Sequence, residues 1–205
     1  ELIKKGATGF YIKGVFKNQD KELSVEIGNS KKETLVKLNG LPTKRKKDVF
    51  GKVKIVVFSP EDLQLIKGGP GYRREYLDIY IGQVYPTYRV SFQKYYKALY
   101  QRNALLKKIR NKEKIGSSLE VWTDELVEEG SRVLYYRIRV INEIKKWANE
   151  YHRRISGEKE EIECFYEGAG LTQQGEKDLD TLKTELYVEI KKKKNDEIRR
   201  GITLA

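Results

Sequence analysis

Apolar and polar residues alternate through the first forty positions, and the period then lengthens. GFYIKGVFK (9–17), ELSVEIG (22–28) and ETLVKLNG (33–40) each place apolar side chains at every second residue. That spacing predicts antiparallel strands, and Asn39-Gly40 is a turn pair suited to a tight hairpin. A basic loop follows, Lys44, Arg45, Lys46 and Lys47, then VKIVVFS (53–59), whose near-continuous apolar run suits a strand buried on both faces.

Beyond Ser59 the period becomes helical. Ser59-Pro60-Glu61-Asp62 offers an N-cap serine, a proline at the first helical position and acids in the first turn, so a short helix starts there. Gly68-Gly69-Pro70-Gly71 stops it, and residues 72–84 resume as a second helix. Pro86 opens a long helix with Phe92, Tyr95, Tyr96, Leu99, Leu106 and Ile109 on one stripe, interrupted by Arg102 and Asn103. The next helix, 122–155, repeats Leu126, Val133, Val140, Ile144, Trp147, Tyr151 and Ile155 on one face for about 50 Å, with Gly130 as its weak point. A short strand is expected over EIECFYEG (161–168). A last helix uses Leu179, Leu182, Leu186 and Ile190 and runs into Lys191 to Lys194.

The expected fold class is therefore α+β in two lobes. An antiparallel sheet lobe occupies residues 1–67. A lobe of antiparallel helices occupies 68–200, with one short strand near 160–167.

Charge changes this picture more than size does. The 205 residues hold 42 Lys and Arg against 30 Asp and Glu, a formal charge of +12, which favours a polyanionic partner. The basic clusters include Arg73-Arg74, Lys107-Lys108 with Arg110, Lys145-Lys146, Arg153-Arg154, Lys191 to Lys194 and Arg199-Arg200. Their dispersal points to sequence-independent contacts along a phosphate chain, weakened by salt. Ordinary solvated helix faces are the competing explanation.

Catalytic chemistry finds little to use. The single cysteine, Cys164, excludes an intrachain disulfide, and no His/Cys cluster has metal-ligand spacing, so no metal is expected. The single histidine, His152, lacks triad or metal partners. The carboxylate pairs Asp124-Glu125 and Glu128-Glu129 read as salt-linked, solvated faces. Gly68-Gly69-Pro70-Gly71 before Arg73-Arg74 reads either as a helix stop and restart or as an anion site. No apolar run approaches the roughly 20 residues that span a bilayer, so a soluble, cytoplasmic protein without a membrane partner is expected. The lack of any methionine suggests a piece of a longer protein.

Several segments, in order, carry a family likeness: VVFSPEDLQLIKGGPGYRREYLD (56–78), YYKALYQRNALLKKI (95–109), WTDEL (122–126), HRRIS (152–156) and EIRRGITL (197–204). Together they resemble the RecF family of bacterial recombination mediators, which carry an ABC-type ATPase head related to SMC proteins. The likeness covers essentially the whole chain.

It implies the antiparallel sheet of the head followed by a helical arm, with 201–205 beginning the return to the head. In the family, the Walker A loop lies before this stretch, and the signature and Walker B motifs lie after it. The resemblance thus implies no catalytic residue and no ATP turnover by this chain. The intact protein is expected to be a weak DNA-dependent ATPase that binds ATP and Mg2+ and dimerises with ATP. It is expected to act in DNA repair, replication and the SOS response, binding DNA at gaps and junctions and, with RecR and RecO, promoting RecA loading.

Ser59 falls where SMC-type heads have a metal-contacting glutamine, here with S-P-E in place of Q-G-E, so Ser59 and Glu61 are the nucleotide-proximal candidates. The DNA-binding candidates are Arg73, Arg74, Lys107, Lys108, Arg110, Lys145, Lys146, Arg153 and Arg154. The alternative is an interaction module that binds RecR, with incidental charge.

Overall fold

The computed structural model describes residues 3–18, 21–30, 33–43, 48–114, 116, 118–173 and 177–204, and the Lys44 to Lys47 loop lies outside them. Two compact units divide the chain, Glu1–Gly69 and Pro70–Ala205.

In the first unit, β1 (Gly9–Asn18), β2 (Lys21–Ser30), β3 (Thr34–Leu38) and β4 (Leu41–Pro42) form an antiparallel meander in that order. Leu38 pairs with Leu41 across Asn39 and Gly40, whose φ angles of 48° and 78° are those of a hairpin turn matched to strand twist. Asn39 also fixes the register from its side: its Oδ1 accepts from the Ser24 amide at 2.8 Å, and its own amide donates to the Ser24 carbonyl at 2.9 Å. Val25 and Val36 are buried, and so is Glu26. The Glu26 carboxylate accepts from the Tyr11 hydroxyl at 2.9 Å and lies 3.7 Å from the Lys13 ammonium, so its burial is compensated.

The run 53–59 departs from expectation. It forms no named strand among the described residues, and Val56 and Phe58 are 80% and 88% exposed. A strand apolar on both faces needs a covering layer on each side, and the described part of this unit supplies a single small sheet.

Ser59 then takes extended angles (φ −142°, ψ 163°) ahead of a 3-10 turn, Pro60–Leu63, that continues into the short helix α1 (Gln64–Lys67).

The second unit is helical: α2 (Pro70–Val84), α3 (Pro86–Arg110), α4 (Leu119–Ser156) and α5 (Leu179–Arg200). Local chemistry sets the ends. Ser118 and Asp178 cap α4 and α5, accepting from the Glu120 amide at 3.1 Å and the Thr181 amide at 2.7 Å. Gly157 and Gly201 close the same helices in the left-handed conformation, at φ 65° and 71°.

α3 and α5 both run antiparallel to α4. Lys94 reaches Glu129 and Arg102 reaches Thr123, while Lys183 reaches Glu128 and Lys194 reaches Glu120. Between them Leu126, Val133, Leu134, Leu182, Leu186 and Ile190 are buried with Leu77 and Ile81 of α2. Each such side chain contributes about 1.5–3 kcal/mol.

Gly130 of α4 faces both α3 and α5. A Cβ there would stand 3.1 Å from a Leu186 methyl carbon and 3.3 Å from the Tyr95 ring. What reads as a weak point in the helix is therefore a packing requirement.

Two further expectations change. The strand near 160–167 shrinks to β5 (Tyr166–Gly168), paired with β6 (Leu171–Gln173). The preceding residues lean on α4 instead, the Ile162 amide donating to Asn149 Oδ1 at 3.1 Å. The apolar stripe of α4 is buried only in its first half, since Trp147 and Ile155 are 62% and 88% exposed.

Candidate nucleic-acid interface

The antiparallel packing brings the last turns of α3 and α5 together beside the start of α4. Arg110 donates from Nη1 to the Arg200 carbonyl at 3.1 Å, next to Gly201. Two helix C-termini converge here, and their partial negative charge explains cations at Arg110 and Arg199 on structural grounds alone.

Lys107, Lys108 and Arg200 share those last turns, and Lys112 and Lys114 follow α3. Lys107, Lys108, Lys112, Lys114 and Arg200 are exposed, and none has an ion-pair partner among the described residues. Lys193 and Lys194 are engaged, with Glu189 at 3.5 Å and Glu120 at 3.0 Å, and Lys191 lies 4.5 Å over the Tyr187 ring.

Beneath this surface lies a polar cluster that the stripe pattern shows only as an interruption. Arg102, 1% exposed, donates from Nη2 to Glu197 Oε2 at 2.6 Å, from Nη1 to Thr203 Oγ1 at 2.8 Å and from Nε to Thr123 Oγ1 at 3.0 Å. Asn103 Oδ1 accepts from the Thr203 amide at 2.8 Å and hydroxyl at 2.7 Å, and the Leu204 amide donates to Glu197 Oε1 at 2.8 Å. α3, α4, α5 and residues 203–204 are thereby joined, with every nitrogen of the buried guanidinium bonded.

The remaining DNA-binding candidates fall elsewhere. Lys145, Arg153 and Arg154 lie on the distal part of α4, where acids answer them: Lys145 with Glu163 at 3.8 Å, Arg153 with Glu158 at 2.5 Å, Arg154 with Glu150 at 2.6 Å. Lys146 has no ion-pair partner among the described residues. His152 stands 3.7 Å from Glu160, and its Nδ1 is buried without a hydrogen-bond partner among the described residues.

The acidic pairs are only partly solvated faces. Glu128 is held by Arg132 and Lys183, which with its hydrogen bonds lower its carboxyl to about 2. Glu129, by contrast, is buried, and the Lys94 ammonium lies 2.7 Å away.

Arg73 and Arg74 occupy the first turns of α2. Arg74 borders a cavity of about 300 Å³ lined also by Tyr95, Tyr96, Leu99, Leu126, Gly130 and Arg137. Arg137 forms a second buried cluster, donating to Asp78 Oδ1 at 2.6 Å and to the Tyr166 hydroxyl at 3.0 Å. Burial opposes its charge, yet Tyr166, Tyr88 and Asp78 outweigh that cost and raise its pKa further. Neither Arg102–Glu197 nor Arg137–Asp78 is identified from sequence. The available signal is a charged residue at a core position of a stripe, which pairs with its counter-ion only through tertiary contact.

Ser59 caps the 3-10 turn together with Asp62, and Glu61 lies in its first turn. The Ser59 amide donates to Asp62 Oδ2 at 2.6 Å, and the Asp62 amide donates to the Ser59 carbonyl at 3.0 Å. The Glu61 carboxyl is lowered by a backbone amide and by the Ser59 hydroxyl. Both polar groups are engaged locally. Among the described residues no group of three or more His, Cys, Asp or Glu is arranged to hold a metal ion, and no helix is long and apolar enough to cross a membrane.

No family model matches the chain. Curated relatives do match it over its whole length. The DNA replication and repair protein RecF of Halothermothrix orenii is 35% identical over 206 residues, and that of Halalkalibacterium halodurans 38% over 204; the chain covers 55% of each. A solved structure described as the recombination mediator protein RecF-ATPrS in the RecFOR pathway superposes with a TM-score of 0.85 at 28% identity, over 100% of this chain and 55% of that one. A second, described as RecF-ATP in that pathway, gives 0.84 at 28%. The chain thus spans about half the length of the curated relatives it matches.

Proposed function

As this chain belongs to the RecF family, we propose that it serves DNA replication and repair by holding the DNA phosphate backbone at the end of its helical unit where α3 and α5 finish. One observation carries this reading. Lys107, Lys108, Lys112, Lys114 and Arg200 gather there without ion-pair partners among the described residues, while Lys145, Arg153 and Arg154 are matched by acids. Unmatched cations displace counterions from DNA, whereas paired ones must first give up their partners.

Duplex DNA titrated at several salt concentrations tests it. Lys107→Glu with Lys108→Glu is expected to cost about tenfold or more in affinity and to reduce the salt slope by about two. Arg153→Glu with Arg154→Glu, both matched by acids, is expected to cost much less. No binding at low salt, or equal losses in the two variants, overturns the reading.

A second reading rests on the exposed apolar half of α4, Ile144, Trp147, Tyr151 and Ile155. Soluble proteins rarely leave such a stripe uncovered, which favours a protein contact, and RecR is the partner the family resemblance suggests. Trp147→Asp with Ile155→Asp then abolishes RecR association while DNA affinity survives. Unchanged association removes this reading.

ATP and Mg2+ binding, ATP-dependent dimerisation, and work with RecO and RecA are proposed for the intact protein. An ATPase assay on this chain is expected to show no turnover, and measurable turnover would overturn that expectation.

A further inference from the structure

The outer face of α3 carries two exposed tyrosines one helical turn apart, Tyr96 at 49% and Tyr100 at 73% exposure. Scattered surface aromatics need no explanation, but these two have specific neighbours. Tyr96 lies on an aromatic ladder, its ring 4.6 Å from Phe92, which is 5.8 Å from Tyr88. The ring is therefore seated, as a stacking platform requires. Tyr96 also borders the 300 Å³ cavity, whose polar lining includes Arg74 and Tyr95. Arg137 lines the same cavity, so two arginines border it beside Tyr95. In the other direction, Lys107 follows Tyr100 by seven residues and so returns to the same face, with Arg110 one turn further on.

One face of α3 thus reads, in order, a cationic recess, an anchored ring, a free ring and a cationic end. Aromatic faces interleaved with cations along a line are the chemistry that recognises single strands, since every base has a π face and every linkage a charge. Duplex DNA keeps its bases stacked inside and has no use for the rings.

We propose that α3 is a track for single-stranded DNA. Bases stack on Tyr100 and Tyr96, and the strand's phosphates are held by Arg74 at one end and by Lys107 at the other. This deepens the DNA reading above and rests on it.

The test measures binding of labelled oligo(dT) and of a duplex of equal length to the whole chain, with folding checked by circular dichroism. Tyr100→Ala is expected to weaken oligo(dT) about tenfold or more, the size of one lost base stack, and to leave the duplex within twofold. Tyr100→Phe keeps the ring and is expected to bind both like the parent, and Tyr96→Ala to behave like Tyr100→Ala. The proposal falls if Tyr100→Ala leaves oligo(dT) unchanged or weakens both ligands equally. It falls too if the phenylalanine variant is as impaired as the alanine one. If both ligands bind and only the Lys107 and Lys108 changes matter, the tyrosine track is wrong while the DNA reading stands. If neither binds at low salt, both are wrong.

Discussion

Arg102 is a cation in the middle of an apolar stripe, tolerated because each of its three nitrogens is bonded and Glu197 balances its charge. Removing one partner strands the other. Arg102→Met is predicted to cost about 3–5 kcal/mol in urea unfolding, and the double variant with Glu197→Leu markedly less than the sum of the two single changes. Gly130 depends on closeness instead of charge. Gly130→Val drives new atoms into Leu186 and Tyr95, with a predicted loss of about 1–3 kcal/mol, whereas Tyr100→Ala at the exposed face stays within about 0.5 kcal/mol. Glu128 adds a pH dependence. Its folded carboxyl, at about 2, lies below the ordinary carboxylate range, so its contribution is complete above about pH 4.5 and disappears as the pH falls toward 2. Solvent screening keeps this to about 0.5 kcal/mol, and Glu128→Gln is predicted to flatten that part of a melting-temperature profile.

Among the elements, α4 shows how one pattern yields two environments. Leu126 and Val133 share a stripe with Trp147 and Ile155, and periodicity assigns them all to one apolar face. α3 and α5 cover the first pair, and the second pair is exposed. A sequence stripe states which side chains share a face, and only the lengths and positions of the neighbouring helices decide how much is covered. Trp147→Ala is accordingly predicted to leave stability nearly unchanged and to shift tryptophan emission to shorter wavelength, because the half-buried Trp122 remains. Leu182→Ala, fully buried on α5, is predicted to cost about 2–5 kcal/mol. The run at 53–59 follows the same rule, since an apolar pattern alone does not supply the layers that would bury it.

At the scale of the molecule, the two units differ in how much apolar surface they bury. Among the described residues the sheet unit buries Val25 and Val36, whereas the helical unit has a continuous core and two satisfied buried ion pairs. Hydrogen exchange is therefore predicted to be faster across β1 to β3 than across the middle of α3, α4 and α5. Equal protection in both would show that the sheet draws stability from something other than its own core.

The sequence by itself determined the strand meander with its Asn39-Gly40 turn and the four main helices with the apolar stripes of the long ones. It also determined a surplus of positive charge, because these follow from local periodicity, turn chemistry and composition. Tertiary structure decided which cations are answered by acids, which part of the α4 stripe is covered, and that Arg102 and Arg137 are buried. Each of those depends on residues far apart in the chain, as when Thr203 is brought to Arg102 across a separation of 101 residues. Their meeting follows from the packing of whole helices, which no local pattern encodes.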